Sequence, residues 1–181
     1  MSNVEPIRDL ETIKRIKEIL KNTNYRDFLL FTLGINSGLR ISDLLKLKVK
    51  DVKNKDFIEI KEQKTRKYKR FPVQNDLKYI IDKFIKNLNS EEWLFKSRKG
   101  NNHITRIQAY RIIKNVCIQG NIKSNSGTHT LRKTFGYHFY KQTKDIALLQ
   151  SILNHSSPSV TMRYIGINQD IIDNSLMNFA L

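Results

Sequence analysis

The chain is poor in the residues that staple or break small folds. One cysteine, Cys117, stands among 181 residues, which excludes an internal disulfide framework and any multi-cysteine metal site. Cys117 falls in the apolar helical pattern of Ile113 and Val116 and reads as a buried core thiol. Three prolines and seven glycines are too few for a collagen-like or disordered chain. No apolar run is long enough to span a bilayer. Met1 to Pro6 lacks the basic-then-apolar layout of a signal peptide, so a cytoplasmic location is expected. Four dispersed histidines with no carboxylate at ligand spacing do not form a zinc site. Acids are scarce as well: 17 stand against 33 lysines and arginines, for a net charge of +16. A surplus of that size favours a polyanionic partner, above all nucleic acid. Charge alone leaves DNA, RNA and an anionic membrane surface open.

What is present is a chain that is 39% hydrophobic, sized for one domain. Asp9 caps a pattern of Leu10, Ile13, Ile16, Ile19 and Leu20 at helical spacing. Residues 25–35 are apolar nearly all round, which predicts a buried helix ended at Ser37-Gly38. A short helix follows from Arg40. The period then changes. Phe57, Ile58 and Ile60, and Tyr68, Phe71 and Val73, read as two strands of a hairpin with a basic tip, Lys61 to Lys67. Helices resume at Asn75, and Glu92 to Phe95 is a short extended candidate. Thr105 and Gln108 form a capping box ahead of the Cys117 helix. Thr128 or Thr130 caps a helix to about Lys141, Asp145 starts another, and Ser157-Pro158 opens a short one reaching Tyr164. Asn168 is expected to cap a last helix whose Ile172, Leu176 and Phe179 share a face, either packed on the chain's own core or docked on a second copy. The expected class is mainly α with a small antiparallel β-sheet (α+β).

The chemistry concentrates in the last third. His129 and Arg132 lie three residues apart near a helix N-terminus, His155 follows 23 residues after Arg132, and Tyr164 nine after that. Arg40 follows Gly38-Leu39 upstream. A phosphodiester gathers negative charge in its transition state, and arginine offers a permanently charged planar fork for it. A tyrosine can attack phosphorus if cations or a base help it ionise, because its ordinary pKa is about 10. The leaving oxygen needs a proton, and Lys64 at the hairpin tip is the candidate donor. Tyr137, Tyr140 and His138 read as packing residues on the Arg132 helix.

Four segments resemble the tyrosine recombinases, the phage-integrase family. These are Gly38-Leu-Arg40-Ile-Ser-Asp43-Leu-Leu45, the hairpin holding Lys64 and ending Arg70-Phe-Pro-Val73, His129-Thr-Leu-Arg132-Lys-Thr-Phe135, and Leu153-Asn-His155 through Tyr164. The resemblance covers roughly residues 7 to 180 and implies the family's catalytic-domain fold. It also implies roles. Tyr164 would form a 3′-phosphotyrosine. Arg40 and Arg132 would hold the phosphate, and His155 would hydrogen-bond it. Lys64 would protonate the leaving oxygen, and His129 would move the tyrosine's proton. Asp43 would orient Arg40. Neither metal nor other cofactor would be needed. The implied partners are double-stranded DNA and further copies of the chain, in a tetrameric synapse. Arg66, Lys67, Lys69, Arg70 and His103 are further candidates for DNA contact, of a kind that positions without reading sequence. Asn154 departs from the glycine common before the family's histidine, and Asp43 from the commoner glutamate. The family's N-terminal core-binding domain is expected to be absent, leaving residues 1–181 as one catalytic domain. Two other activities fit parts of the pattern: relaxation of DNA in the manner of a type IB topoisomerase, and DNA binding without catalysis.

Overall fold

A computed structural model describes residues 4–167 together with 176, 177 and 179. Within them the order is α1 (Leu10–Thr23), α2 (Tyr25–Ser37), α3 (Ile41–Leu44), α4 (Val49–Val52), β1 (Phe57–Lys61), β2 (Tyr68–Pro72), α5 (Asn75–Ile85), α6 (Arg106–Gln119), α7 (Thr128–Thr143), α8 (Ile146–Leu153) and α9 (Pro158–Ile165). The mainly helical class with one small antiparallel sheet is as expected. The last helix expected after Asn168 lies largely outside the described residues.

Local chemistry sets most boundaries. Asp9 accepts from the amides of Glu11 and Thr12 at the start of α1, and Thr105 and Gln108 form the expected reciprocal box on α6. Helix α2 is buried along nearly its whole length and ends in Gly38 at φ 61°. A Cβ on Gly38 would stand 2.4 Å from the Phe135 ring, so both the conformation and the space require glycine. Helix α7 starts one residue after Gly127, whose amide donates to the Thr130 hydroxyl. Thr130 therefore caps from inside the helix. Glu92–Phe95 is not a strand: Trp93 makes an isolated bridge to Lys48.

The hairpin pairs Phe57 with Pro72, Ile58 with Phe71, Ile60 with Lys69 and Lys61 with Tyr68. Alternation turns Ile58, Ile60 and Phe71 towards the large core built on α2 and α5, leaving Phe57 and Tyr68 exposed. A second cluster joins α1 and α6 through Ile16, Phe31, Ile113 and Cys117, the thiol buried as expected. The third sits beneath α7, α8 and α9, where Leu149, Leu153 and Ile165 are fully buried. A leucine-to-alanine change in such a cluster typically costs about 2–5 kcal/mol. This third cluster fixes α9, and with it Tyr164, against α7.

Candidate active site

Helix α7 forms the floor of the site. Its first turn carries His129, and the next brings Arg132 into the interior, where it is only 3% exposed. A guanidinium so deep must have its donors met. Arg132 donates from Nη1 to the Gly38 carbonyl at 2.5 Å and from Nη2 to the Leu153 carbonyl at 2.6 Å. One side chain thus pins the ends of α2 and α8 to α7.

Two turns from either side of the floor deliver the next groups. Arg40 is the N-cap residue of α3, just past the Gly38 turn. Helix α8 ends in Asn154 at φ 50°, and the chain then presents His155. His155 Nδ1 lies 3.1 Å from the Thr161 hydroxyl, which itself donates to the Ser157 carbonyl. That leaves the Thr161 oxygen to accept, and gives Nδ1 the proton. The His155 ring meets the Tyr164 ring edge-on at 4.9 Å.

Tyr164 stands on α9. Its hydroxyl lies 3.5 Å from His129 Nδ1, within the field of the Arg132 and Arg40 guanidinium groups. The Lys133 ammonium sits over its ring at 5.2 Å. Burial raises the phenol's pKa, while the charges of Arg132 and Arg40 pull against it. At rest the phenol is therefore protonated and in need of a base. Burial and four nearby cations, Arg132, Lys133, Arg40 and Arg106, lower the pKa of His129. It is neutral at pH 7 and able to accept a proton. Burial, followed by Arg132, Arg40 and Lys69, pushes His155 down to about 4.

An open cleft of 460 Å³ joins Arg40, Gln63, Lys64, Arg106, Thr128, His129 and Arg132. Lys64 is exposed on the turn between β1 and β2, on the rim of this cleft. The arrangement can hold a phosphate between cations, take a proton from a phenol and return one to a leaving oxygen.

Several expectations change. Asp43 accepts the amide of Gln63 at 3.0 Å and so anchors the hairpin turn. The carboxylate on Arg40 is Glu62, with 2.7 Å between Nη1 and Oε1. Lys69 is no surface phosphate contact: it pairs with Ile60 on the inner side of the sheet, reaches Glu62 at 3.2 Å and donates to the Ile152 carbonyl. His103 is half-buried against Trp93, with Nδ1 2.7 Å from the Ile104 carbonyl, away from the residues lining the cleft. Arg70 lies over the Phe57 ring at 3.6 Å on the outer face. Arg66 and Lys67 are exposed at the tip, and Arg66 takes a left-handed φ of 58°. His138 bonds the Ile7 carbonyl, a structural role as expected. Sequence reasoning passed over Glu62, Arg106 and Lys133. For Glu62 a signal existed: it is the lone acid in the basic run from Lys61 to Arg70, and it continues the inward alternation of Ile58 and Ile60.

Fold and site together define a catalytic domain that sets a tyrosine beside clustered cations. The chain belongs to the phage integrase family, whose profile it matches over residues 9–170. It is 54% identical over 170 residues to YoeC of Bacillus subtilis strain 168, named a probable integrase/recombinase, covering 94% of this chain and 93% of that protein. It is 28% identical to the tyrosine recombinase XerA of Pyrococcus furiosus, over 87% of this chain and 56% of XerA. It is 30% identical to the type 1 fimbriae regulatory protein FimE of Escherichia coli K12, over 81% of this chain and 77% of FimE. The chain thus spans nearly all of YoeC but only about half of XerA. Among solved structures, a XerA recombinase superposes with a TM-score of 0.77 at 20% identity, over 98% of this chain and 67% of that one. The XerH recombinase bound to its difH substrate gives 0.73 at 20% identity, over 91% of this chain and 51% of that one. At such identities the likeness is one of fold.

Proposed function

We propose that this chain breaks and rejoins DNA strands at specific sites, using Tyr164 as nucleophile. The Tyr164 oxygen attacks the scissile phosphorus while His129 takes its proton. The bond to the 5′ oxygen breaks, Lys64 protonates that oxygen, and a 3′-phosphotyrosine remains. Arg40 and Arg132 hold the non-bridging oxygens, and His155 adds a hydrogen bond. Attack by a second 5′ hydroxyl reverses these steps and seals a new junction. The net charge of +16 suits a DNA partner, and Arg66, Lys67 and Arg70 at the hairpin are suited to its backbone. We assign action to the cytoplasm and, by family, to a tetrameric assembly on DNA.

The observation that carries this reading is the Tyr164 hydroxyl 3.5 Å from a neutral His129 and within the field of the Arg132 guanidinium. The test uses nicked suicide duplexes, from which the cleaved end diffuses away. Wild-type protein accumulates a covalent adduct and Tyr164→Phe accumulates none. An adduct that survives the substitution removes Tyr164 as the nucleophile.

A further inference from the structure

We propose that Glu62 is a positioning residue for strand cleavage, holding Arg40 in place for the scissile phosphate and tying the hairpin to the turn that carries His155. The inference rests on the strand-cleavage reading above.

Glu62 has no exposed surface, yet it lies in a polar cage. The Thr65 hydroxyl donates to it at 2.6 Å and the Asn154 amide at 2.9 Å. Arg40 stands at 2.7 Å and Lys69 at 3.2 Å. Thr65 and Asn154 bond one carboxylate oxygen, and the two cations form ion pairs with the other. The four groups come from the start of α3, the hairpin turn, β2 and the α8–α9 turn. The backbone of Glu62 also closes the neck of the hairpin: its amide donates to the Lys67 carbonyl, and its carbonyl accepts from the Arg66 amide, each at 2.9 Å. Lys64 sits within that closed loop. One residue therefore fixes an arginine of the cleft, the loop of the candidate acid and the approach to His155.

A buried carboxylate is costly unless its lone pairs are met, and an apolar substitute often serves the fold as well. Burial alone would raise its pKa. Thr65, Lys69, Asn154 and Arg40 outweigh that and hold it at about 2, so the charge is permanent. What a permanent charge supplies and an apolar filler cannot is direction for a guanidinium. Glu62 pairs with one terminal nitrogen of Arg40, while Arg40 also lines the open cleft.

Asn154 makes the tie specific. Its φ of 50° belongs to the left-handed region, which glycine fills at no cost. Asparagine tolerates that conformation and adds an amide, spent on Glu62. Asn154→Gly keeps the backbone and cuts only the tie.

The experiment compares wild type, Glu62→Gln and Asn154→Gly. Readouts are single-turnover cleavage of a suicide duplex, duplex affinity, melting temperature, and the NMR resonances of the Arg40 guanidinium protons, assigned by their loss in Arg40→Lys. At a temperature where the variant is fully folded, Glu62→Gln is expected to slow cleavage about 10- to 100-fold with affinity little changed, while its melting temperature falls because Arg40 and Lys69 lose a buried partner. Asn154→Gly is expected to slow it about threefold to tenfold, and the double variant less than the product of the two. The Glu62→Gln defect should shrink on a duplex carrying a neutral methylphosphonate at the scissile position, which needs less from Arg40. An equal defect on both duplexes, measured where the variants are fully folded, would overturn the proposal. So would an unchanged Arg40 resonance in Glu62→Gln. That resonance is read without DNA, so it decides the role of Glu62 even if wild-type protein forms no adduct, an outcome that would count against the strand-cleavage reading instead.

Discussion

Arg132 and Arg40 meet in one cleft but are held by opposite means. Arg132 is locked by two neutral backbone carbonyls from the ends of α2 and α8. Arg40, more exposed, is held by the carboxylate of Glu62 at the neck of the hairpin. The floor of the site is thus part of the core, and the hairpin wall is a separately anchored arm. In the floor, Arg132 is both a structural tie and a proposed phosphate ligand. On the wall the two roles separate, because the anchor Glu62 is buried while Lys64, the proposed acid, is exposed at the tip. The floor should therefore lose fold and activity together, and the tip activity alone.

The largest effect falls on the floor. Arg132→Ala leaves the Gly38 and Leu153 carbonyls unpaired inside the protein, each at a cost of about 1–3 kcal/mol. For a domain of this length the melting temperature should drop by roughly 10 °C, and adduct formation should fall to background. A variant that melts like wild type would break the distinction drawn between the two arginines.

Lys64→Ala is expected to leave the melting temperature unchanged, since the side chain is exposed. Single-turnover cleavage should slow by about 10²- to 10⁴-fold, the usual worth of a general acid. A substrate with sulfur in place of the leaving 5′ oxygen should restore the rate, because a thiolate leaves without a proton. If sulfur gives no rescue, Lys64 is not the acid.

The smallest effect concerns His155, on the seam between floor and wall. Its pKa is about 4 in the folded chain against an ordinary 6.5, through burial and the cations Arg132, Arg40 and Lys69. Between pH 6.5 and 4 the unfolded chain takes up a proton that the folded one refuses. The neutral imidazole's contribution is therefore complete above pH 6.5 and is lost as pH falls towards 4. On a half-buried side chain this amounts to about 1–2 kcal/mol after solvent screening. Melting from pH 7 to 4.5 should accordingly fall less for His155→Gln than for wild type. Equal falls would place His155 outside the cationic cluster.

Much of this was readable from residue order. Asp9, Thr105, Asp145 and Ser157 act within three residues of themselves, so helix starts were visible in the sequence. The floor was visible for the same reason, because His129 and Arg132 share one helix and their spacing is their geometry. The hairpin wall was less so. Lys69 looked like one more base in a basic run. The strand's alternation turns it inward, and only the register with Ile60 settles that. Glu62 takes the part expected of Asp43: both are buried acids near Arg40, and sequence does not say which of them the fold delivers to the guanidinium.

The sequence by itself determined most of the helices, the small sheet, the positive charge and the candidate set of reacting side chains. These depend on periodicity, capping and residue chemistry, all of which act over a few neighbours. The tertiary structure decided which groups are charged and which are held. Gly38 and Arg132 are 94 residues apart, and Glu62 and Asn154 are 92. Burial and neighbouring charge exist only once such distant segments close around one another.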